Sequence, residues 1–175
     1  PFLSAVTSRS CVAMTGARWR AVVDPAVDPN RPYMFACNHV NLLDHVTMYN
    51  ATPHFKQGLE LESHFKIPVY GWFMRQRGTI PVKRGSGSGP AHRAELREHF
   101  RREVALGHSV LAFPEGTRTR DGRVGAFKLG VFVIARDLGL PIVPVTVTGM
   151  YEVLRAGGAR MRRGREVVVY CDAPI

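Results

Sequence analysis

The sequence is poor in cysteine and lysine and has no long apolar run. Its three cysteines, Cys11, Cys37 and Cys171, are odd in number and far apart. This spacing excludes a disulfide framework or a paired zinc-ligand motif and favours a reducing, cytoplasmic setting. No stretch reaches the roughly 18 consecutive apolar residues that predict a membrane-spanning helix. No pattern of charged, apolar and small-residue regions indicates a signal peptide at the start.

The basic residues that are present are nearly all arginine. Lysine accounts for four of the 24 basic side chains, the formal net charge is +10 and the isoelectric point is about 10.3. This balance favours an anionic partner, and nucleic acid, an anionic membrane surface and a phosphorylated substrate would each satisfy it.

The length and composition are those of one globular unit. With 175 residues, 45% of them hydrophobic, the chain can bury one core, and we expect a single domain over residues 1–175. The chain begins at Pro1 rather than at a methionine. We therefore expect it to be truncated at one or both ends, with any membrane anchor in a segment outside it.

Short apolar runs alternate with amphipathic segments along the chain. The amphipathic segments predict helices that begin near residue 42 and cover residues 91–106 and 128–138, and residues 85–90 predict a flexible connector. Pro81 favours an edge position or a strand end for its strand. The alternation predicts an α/β fold with a mixed, largely parallel sheet flanked by helices. The predicted strands are residues 33–37, 79–82, 109–113, 142–148 and 166–170.

A histidine and an aspartate, His39 and Asp44, follow the first of these strands at a spacing of five. On one continuous helix they would lie about 140° apart, so they can face each other only if His39 is in a loop and Asp44 begins the next helix. Asp44 would then accept the Nδ1 proton of His39, while Nε2 takes a proton from an attacking hydroxyl. Taken alone, the pair is also compatible with a loop histidine and a helix cap.

A metal site at the same place is disfavoured. It would use His39, Asp44 and His45, but the hydrolase pattern His-x-His-x-Asp-His requires a histidine where the chain has Asn41. We therefore predict no metal ligands.

A second polar loop, Phe113-Pro-Glu-Gly-Thr-Arg118, follows the strand at 109–113. Gly116 permits close approach of the backbone to a ligand, and Arg118 presents a planar fork that matches phosphate oxygens. Glu115 could orient that fork or bind a substrate hydroxyl. An ordinary surface turn has the same composition, so that alternative stays open.

These stretches, together with Gly78-Thr-Ile-Pro-Val-Lys-Arg84, resemble in order the motif set of the lysophosphatidic acid acyltransferase family, within the glycerol-phosphate acyltransferase superfamily. The blocks are His-x-x-x-x-Asp, Gly-x-Ile-x-x-x-Arg and Phe-Pro-Glu-Gly-Thr-Arg, and Phe127-Lys128 fits a later block. The resemblance extends over residues 32–175, whereas residues 1–31 carry no recognised motif.

The resemblance implies a site, a reaction and two substrates. It makes His39 the catalytic base and Asp44 its partner. It implies acyl transfer from acyl-coenzyme A or acyl carrier protein to lysophosphatidic acid in phospholipid biosynthesis, with no cofactor and no metal. Lys83 and Pro81 depart from the family pattern, so another lysolipid or glycerol-3-phosphate stays open as the acceptor. The implied substrate-binding residues are Arg84, Glu115, Gly116, Thr117, Arg118 and Lys128.

The implied location is a membrane. A basic surface is attracted to anionic lipids, and Arg18, Trp19 and Arg20 would suit contact with a bilayer, although core packing explains them equally well. We expect peripheral association with the cytoplasmic face, or anchoring by a segment outside the chain.

A binding module and another kind of enzyme compete with this interpretation. A nucleic-acid-binding module would interleave exposed aromatic residues with its cations, whereas Phe35, Phe113 and Phe132 lie inside apolar runs. We therefore expect no nucleic-acid partner. A serine hydrolase is disfavoured because no Gly-x-Ser-x-Gly elbow occurs.

Overall fold

The computed structural model describes residues 10–85, 89–155, 158 and 160–175, of which residues 10–14 are helical. A 3₁₀ helix covers Glu62–Lys66. The helices are α1 (Asp44–Ala51), α2 (Tyr70–Gln76), α3 (Pro90–Ala105), α4 (Gly130–Asp137) and α5 (Met150–Val153). The strands are β1 (Arg18–Val23), β2 (Met34–Cys37), β3 (Lys56–Leu61), β4 (Ile80–Val82), β5 (Ser109–Ala112), β6 (Ile142–Thr148) and β7 (Glu166–Cys171).

The described strands form one seven-stranded sheet in the order β1-β7-β6-β2-β5-β3-β4. All neighbouring pairs are parallel except β6 and β7, which are antiparallel. The predicted fold class is confirmed, and the strand that contains Pro81 lies at the edge. Because β2, β3, β5 and β6 run in the same direction, their last residues lie along one side of the sheet, which we call the carboxyl edge. The single-domain organisation stays a prediction.

The core consists of two layers, one on each face of the sheet. Alternation along β2 feeds both layers, because successive side chains of a strand point to opposite faces. Phe35 packs with Met48 of α1, whereas Met34 packs with Phe100 of α3 and Ile134 of α4. Each such buried side chain contributes about 1.5–3 kcal/mol relative to an exposed one.

Two strands and two helices depart from the sequence expectations. β1 was not predicted, and its Trp19 packs against the core while Arg18 and Arg20 are exposed. For Trp19, therefore, the core-packing alternative holds. β3 was not predicted because its first residues, Lys56 and Gln57, are polar although buried. The 3₁₀ helix and α2 also had no counterpart in the prediction, and residues 86–88 of the predicted connector lie outside the described residues.

Candidate active site

The loop after β2 is fixed to β6 by asparagine side chains. Asn38 Nδ2 donates to the carbonyl of Val147 at 3.0 Å, and its Oδ1 accepts the Val147 N–H at 2.7 Å. Asn41 Nδ2 donates to the carbonyl of Met150 at 2.8 Å. These buried side-chain hydrogen bonds take the place of the β2–β6 backbone hydrogen bonds beyond the end of β2. They therefore fix the position of the loop that contains His39.

His39 and Asp44 are brought together as the spacing required, with His39 in the loop and Asp44 at the first residue of α1. His39 Nδ1 lies 2.8 Å from Asp44 Oδ2. The same oxygen accepts the N–H groups of Val40 at 2.6 Å and Asn41 at 2.8 Å. Asp44 is fully buried, and its Oδ1 has no hydrogen-bond partner within the described residues. The buried carboxylate is therefore compensated through one oxygen, by the loop backbone and by His39.

The loop after β5 holds His39 from the other side. The Phe113 ring stacks on the His39 ring with centroids 4.1 Å apart and planes 17° apart. The His39 carbonyl accepts the N–H of Thr119 at 2.8 Å. The His39 side chain is 22% exposed, and no described residue forms a hydrogen bond with Nε2. That nitrogen is therefore available to a substrate hydroxyl.

Glu115 has a different place from the one that the sequence suggested. Its Oε1 accepts the His39 N–H at 2.7 Å, and its Oε2 accepts the Gly125 N–H at 2.8 Å. Within the described residues it forms no hydrogen bond with Arg118. Because Glu115 is buried and both oxygens bind backbone, it ties three loops together and positions His39 rather than orienting the Arg118 fork.

Two cations converge on Gly116. Gly116 has a φ of +67°, and a Cβ added there would lie 2.7 Å from Lys128 Nζ. Arg84 Nη2 donates a hydrogen bond to the Gly116 carbonyl. Thr117 and Arg118 follow in the same turn and are exposed. The arrangement has the backbone access and positive charge that a phosphate group requires.

A comparison with known sequence families decides the relationship. The family described as Acyltransferase matches residues 20–148, a range that includes His39, Asp44, Arg84, the 115–118 turn and Lys128.

The chain belongs to the acyltransferase family.

Curated acyltransferases resemble the chain over most of its length. A chloroplastic 1-acyl-sn-glycerol-3-phosphate acyltransferase of Brassica napus is 35% identical over 144 residues, which are 82% of this chain and 41% of that protein. A lyso-ornithine lipid O-acyltransferase of Rhodobacter capsulatus is 32% identical over 154 residues, 84% of this chain and 51% of that protein. The chain thus spans about half the length of these relatives or less.

A solved acyltransferase structure has the same fold. The crystal structure of the 1-acyl-sn-glycerophosphate acyltransferase from Thermotoga maritima matches with a TM-score of 0.80 at 22% identity. The match covers 98% of this chain and 67% of that one. The resemblance found in the motifs is thus confirmed for family and fold.

Some residues of this acyltransferase site were missed by sequence reasoning. Asn38 and Asn41 flank His39 directly after a buried strand, and polar residues in that place could have indicated loop anchors. The stacking of Phe113 could not be found, because the sequence indicated only that Phe113 was apolar. The described residues contain no group of three or more His, Cys, Asp or Glu side chains able to hold a metal ion, and the predicted lack of a metal or cofactor stays a prediction.

Proposed function

We propose that this acyltransferase moves a fatty acyl group from acyl-coenzyme A or acyl carrier protein to the free hydroxyl of lysophosphatidic acid, giving phosphatidic acid in phospholipid biosynthesis. The observation that carries the proposal is the 2.8 Å contact of His39 Nδ1 with the buried Asp44 Oδ2. Glu115 joins the loop that contains His39 to the turn at residues 115–118, which we call the Gly116 turn. Relatives named as 1-acyl-sn-glycerol-3-phosphate acyltransferases support the choice of acceptor.

In the proposed reaction His39 acts as a general base. Nε2 takes the proton of the acceptor hydroxyl as its oxygen attacks the thioester carbonyl, and Asp44 stabilises the resulting imidazolium. The carbon–sulfur bond then breaks, and the imidazolium returns the proton to the departing thiolate. The products are the new ester and a free thiol, and we expect no covalent acyl-enzyme.

The Gly116 turn is the proposed phosphate site. Arg84 and Lys128 flank the Gly116 backbone, and Thr117 and Arg118 present a hydroxyl and a guanidinium next to it. A phosphate held there would place the glycerol hydroxyl beside His39, because Glu115 links the turn to the His39 backbone at 2.7 Å.

The acceptor alternatives are another lysolipid or glycerol-3-phosphate. One relative is named as a lyso-ornithine lipid O-acyltransferase, so a lyso-ornithine lipid belongs among the acceptors to be tested.

The proposal includes a membrane location. Lysophosphatidic acid is an anionic membrane lipid, and the net charge of +10 favours peripheral association with an anionic surface at the cytoplasmic face. Among the described residues no helix is both long and apolar enough to cross a bilayer.

Thiol release from a long-chain acyl-coenzyme A, with and without lysophosphatidic acid, tests the reaction. We expect acceptor-dependent release that falls about a hundred- to ten-thousand-fold in His39→Ala, since a positioned general base contributes that much. His99→Ala, which removes a histidine of α3, is the matched control, and circular dichroism establishes that both variants are folded.

Three outcomes would contradict parts of the proposal. Near-normal turnover in folded His39→Ala would remove the general base. Release without an acceptor would indicate a thioesterase. Faster release with a lyso-ornithine lipid than with lysophosphatidic acid would change the acceptor and leave the reaction type standing.

A further inference from the structure

Exposed apolar side chains are concentrated in one short segment, residues 67–73. Val69 is 79% exposed and Trp72 is 62% exposed. Soluble proteins rarely present so many large apolar groups together unless the patch has a partner. We call the group the aromatic wedge, and its members are Ile67, Val69, Tyr70, Trp72 and Phe73.

The aromatic wedge is held rigidly by the residues beneath it. Gly71 packs backbone to backbone on the 3₁₀ helix, and a Cβ added there would lie 2.0 Å from the Phe65 carbonyl oxygen. Arg75 Nη2 donates to the same carbonyl at 2.7 Å, and Tyr70 Oη donates to Glu60 Oε2 at 2.7 Å.

The most exposed member of the wedge is also strained. Val69 has a φ of +63°, a conformation that is costly for a β-branched residue. The fold thus retains an unfavourable backbone conformation at the residue whose apolar side chain is the most exposed of the wedge.

The wedge lies on the same side of the molecule as the active site. It follows β3 after the intervening 3₁₀ helix, as the His39 loop follows β2 and the Gly116 turn follows β5, and these strands are parallel. Other exposed apolar residues occupy the same carboxyl edge, namely Leu42 in the His39 loop and Val124, Phe127 and Leu129 after the Gly116 turn.

The charge at this edge is mainly positive. The exposed acidic side chains on elements at this edge include Glu62, Glu95, Asp121 and Glu152. Glu95 pairs with Lys83 and Glu152 with Arg162, and Asp121 Oδ1 accepts hydrogen bonds from Thr119 and from a backbone N–H. Among the described residues no carboxylate forms a salt bridge with the arginines after the Gly116 turn. The exposed cations here include Lys66, Arg75, Arg84, Arg118, Arg120, Arg123 and Lys128.

We propose that the aromatic wedge inserts into the headgroup–acyl boundary of an anionic bilayer and docks the active site on the membrane. Tryptophan and tyrosine favour that boundary, and neighbouring lysine and arginine side chains are drawn to anionic headgroups. This combination suits a bilayer better than a protein partner, because the apolar wedge and the exposed cations share one edge of the sheet. The purpose of docking rests on the proposed function, in which the acceptor is a membrane lipid.

Tryptophan fluorescence measures insertion directly. The chain has two tryptophans, so Trp19→Phe leaves Trp72 as the only emitter. Its emission should shift to shorter wavelength on vesicles that mix phosphatidylglycerol with phosphatidylcholine, and bromine-labelled acyl chains should quench it. Trp72→Phe, which leaves Trp19 in the core, should show neither change.

Paired charge substitutions test the location of the surface. Trp72→Asp should weaken partition into the same vesicles about ten-fold or more, because the variant lacks the large apolar indole that the bilayer would bury. Leu106→Asp is the matched control, since Leu106 is 68% exposed but precedes β5 and so lies at the opposite edge of the sheet. It should partition as the unmodified protein does.

The proposal is overturned if Trp72 emission does not respond to anionic vesicles, or if the two aspartate variants partition equally. It is also overturned if Trp72→Asp abolishes self-association instead of vesicle binding, because a second copy of the chain would then cover the wedge. These measurements contain neither acyl donor nor acceptor, so they do not depend on the reaction assigned to the site.

Discussion

At the residue scale, the site depends on backbone N–H groups as much as on side chains. The N–H groups of Val40 and Asn41 converge on Asp44 Oδ2, and that of His39 on Glu115 Oε1. Both carboxylates can remain buried because the same loop supplies their hydrogen bonds. The loop that carries His39 is therefore itself shaped by Asp44 and Glu115.

Gly116→Ala should weaken acceptor binding more than it slows turnover. The added methyl would lie 2.7 Å from Lys128 Nζ and 3.1 Å from its Cε, so the lysine must leave the phosphate site. We expect the KM for lysophosphatidic acid to rise about ten-fold, as for the loss of one charged hydrogen bond, while kcat changes less. Steady-state kinetics with varied acceptor measures both.

Gly107→Ala is the control for backbone strain. Gly107 has a φ of +77°, yet a Cβ there would meet nothing within 4 Å. Both substitutions should cost about 1–2 kcal/mol of stability from the left-handed backbone, and only Gly116→Ala should change KM. An equal KM in the two variants would remove Lys128 from the site.

The sequence predicted the placement of His39 and Asp44 better than the contacts of Glu115. The spacing of His39 and Asp44 was sufficient to require a loop and a helix start between them, and the structure has both. The partners of Glu115 were not predictable, because they are backbone groups at His39 and Gly125 that only the folded loops bring near. A backbone N–H is present at nearly every position and leaves no trace in the sequence.

At the scale of elements, prediction succeeded where the buried residues are apolar and failed where buried residues are polar or apolar residues are exposed. The helix predicted at 91–106 is α3, Pro90–Ala105, because Leu96 and Phe100 form a buried stripe. β3 was not predicted because its buried residues are polar. Lys56 Nζ donates to two backbone carbonyls, and Gln57 Nε2 donates to the Arg77 carbonyl. α2 was not predicted because most of its large apolar residues face solvent.

Gly71→Ala should loosen the pair formed by the 3₁₀ helix and α2. The methyl would need the space of the Phe65 carbonyl oxygen, 2.0 Å away, and overpacking of this kind costs about 1–3 kcal/mol. Urea denaturation should show the loss.

Gly130→Ala is the control. Gly130 is the first residue of α4, and a Cβ added there would meet nothing within 4 Å. It should change stability by less than about 1 kcal/mol, in the stabilising direction. If both alanine variants unfold at the same urea concentration as the unmodified protein, the backbone contact at Gly71 does not hold the wedge.

At the scale of the whole molecule, parallel strands account for the grouping of functional parts. β2, β3 and β5 deliver the His39 loop, the wedge and the Gly116 turn to one edge of the sheet, although these segments are far apart in sequence. β4 adds Arg84 from the end of the sheet. The proposed base, the proposed phosphate site and the apolar wedge therefore share one edge of the sheet.

One buried charge should govern how the stability of the whole fold depends on pH. Lys56, the first residue of β3, is fully buried. Its Nζ lies 3.2 Å from the Thr52 carbonyl, 3.1 Å from the His54 carbonyl and 4.9 Å from the centre of the Phe35 ring. Burial lowers the pKa of Lys56 to about 7. In the unfolded chain the pKa of lysine is about 10.4.

Between these two pKa values the unfolded chain binds more protons than the folded one, so stability should rise with pH by up to about 1.4 kcal/mol per unit. Below about pH 7 both states are protonated, and the full cost of the buried charge remains. Lys56→Met leaves two carbonyls without their donor, but that loss does not depend on pH. Urea denaturation between the two pKa values should therefore show the free energy of unfolding rising with pH in the unmodified protein relative to Lys56→Met. Lys66→Met, which removes an exposed lysine, is the control, and its free energy of unfolding should change with pH as that of the unmodified protein does. Parallel profiles for Lys56→Met as well would mean that Lys56 keeps its proton when buried, held by the carbonyls and the ring of Phe35.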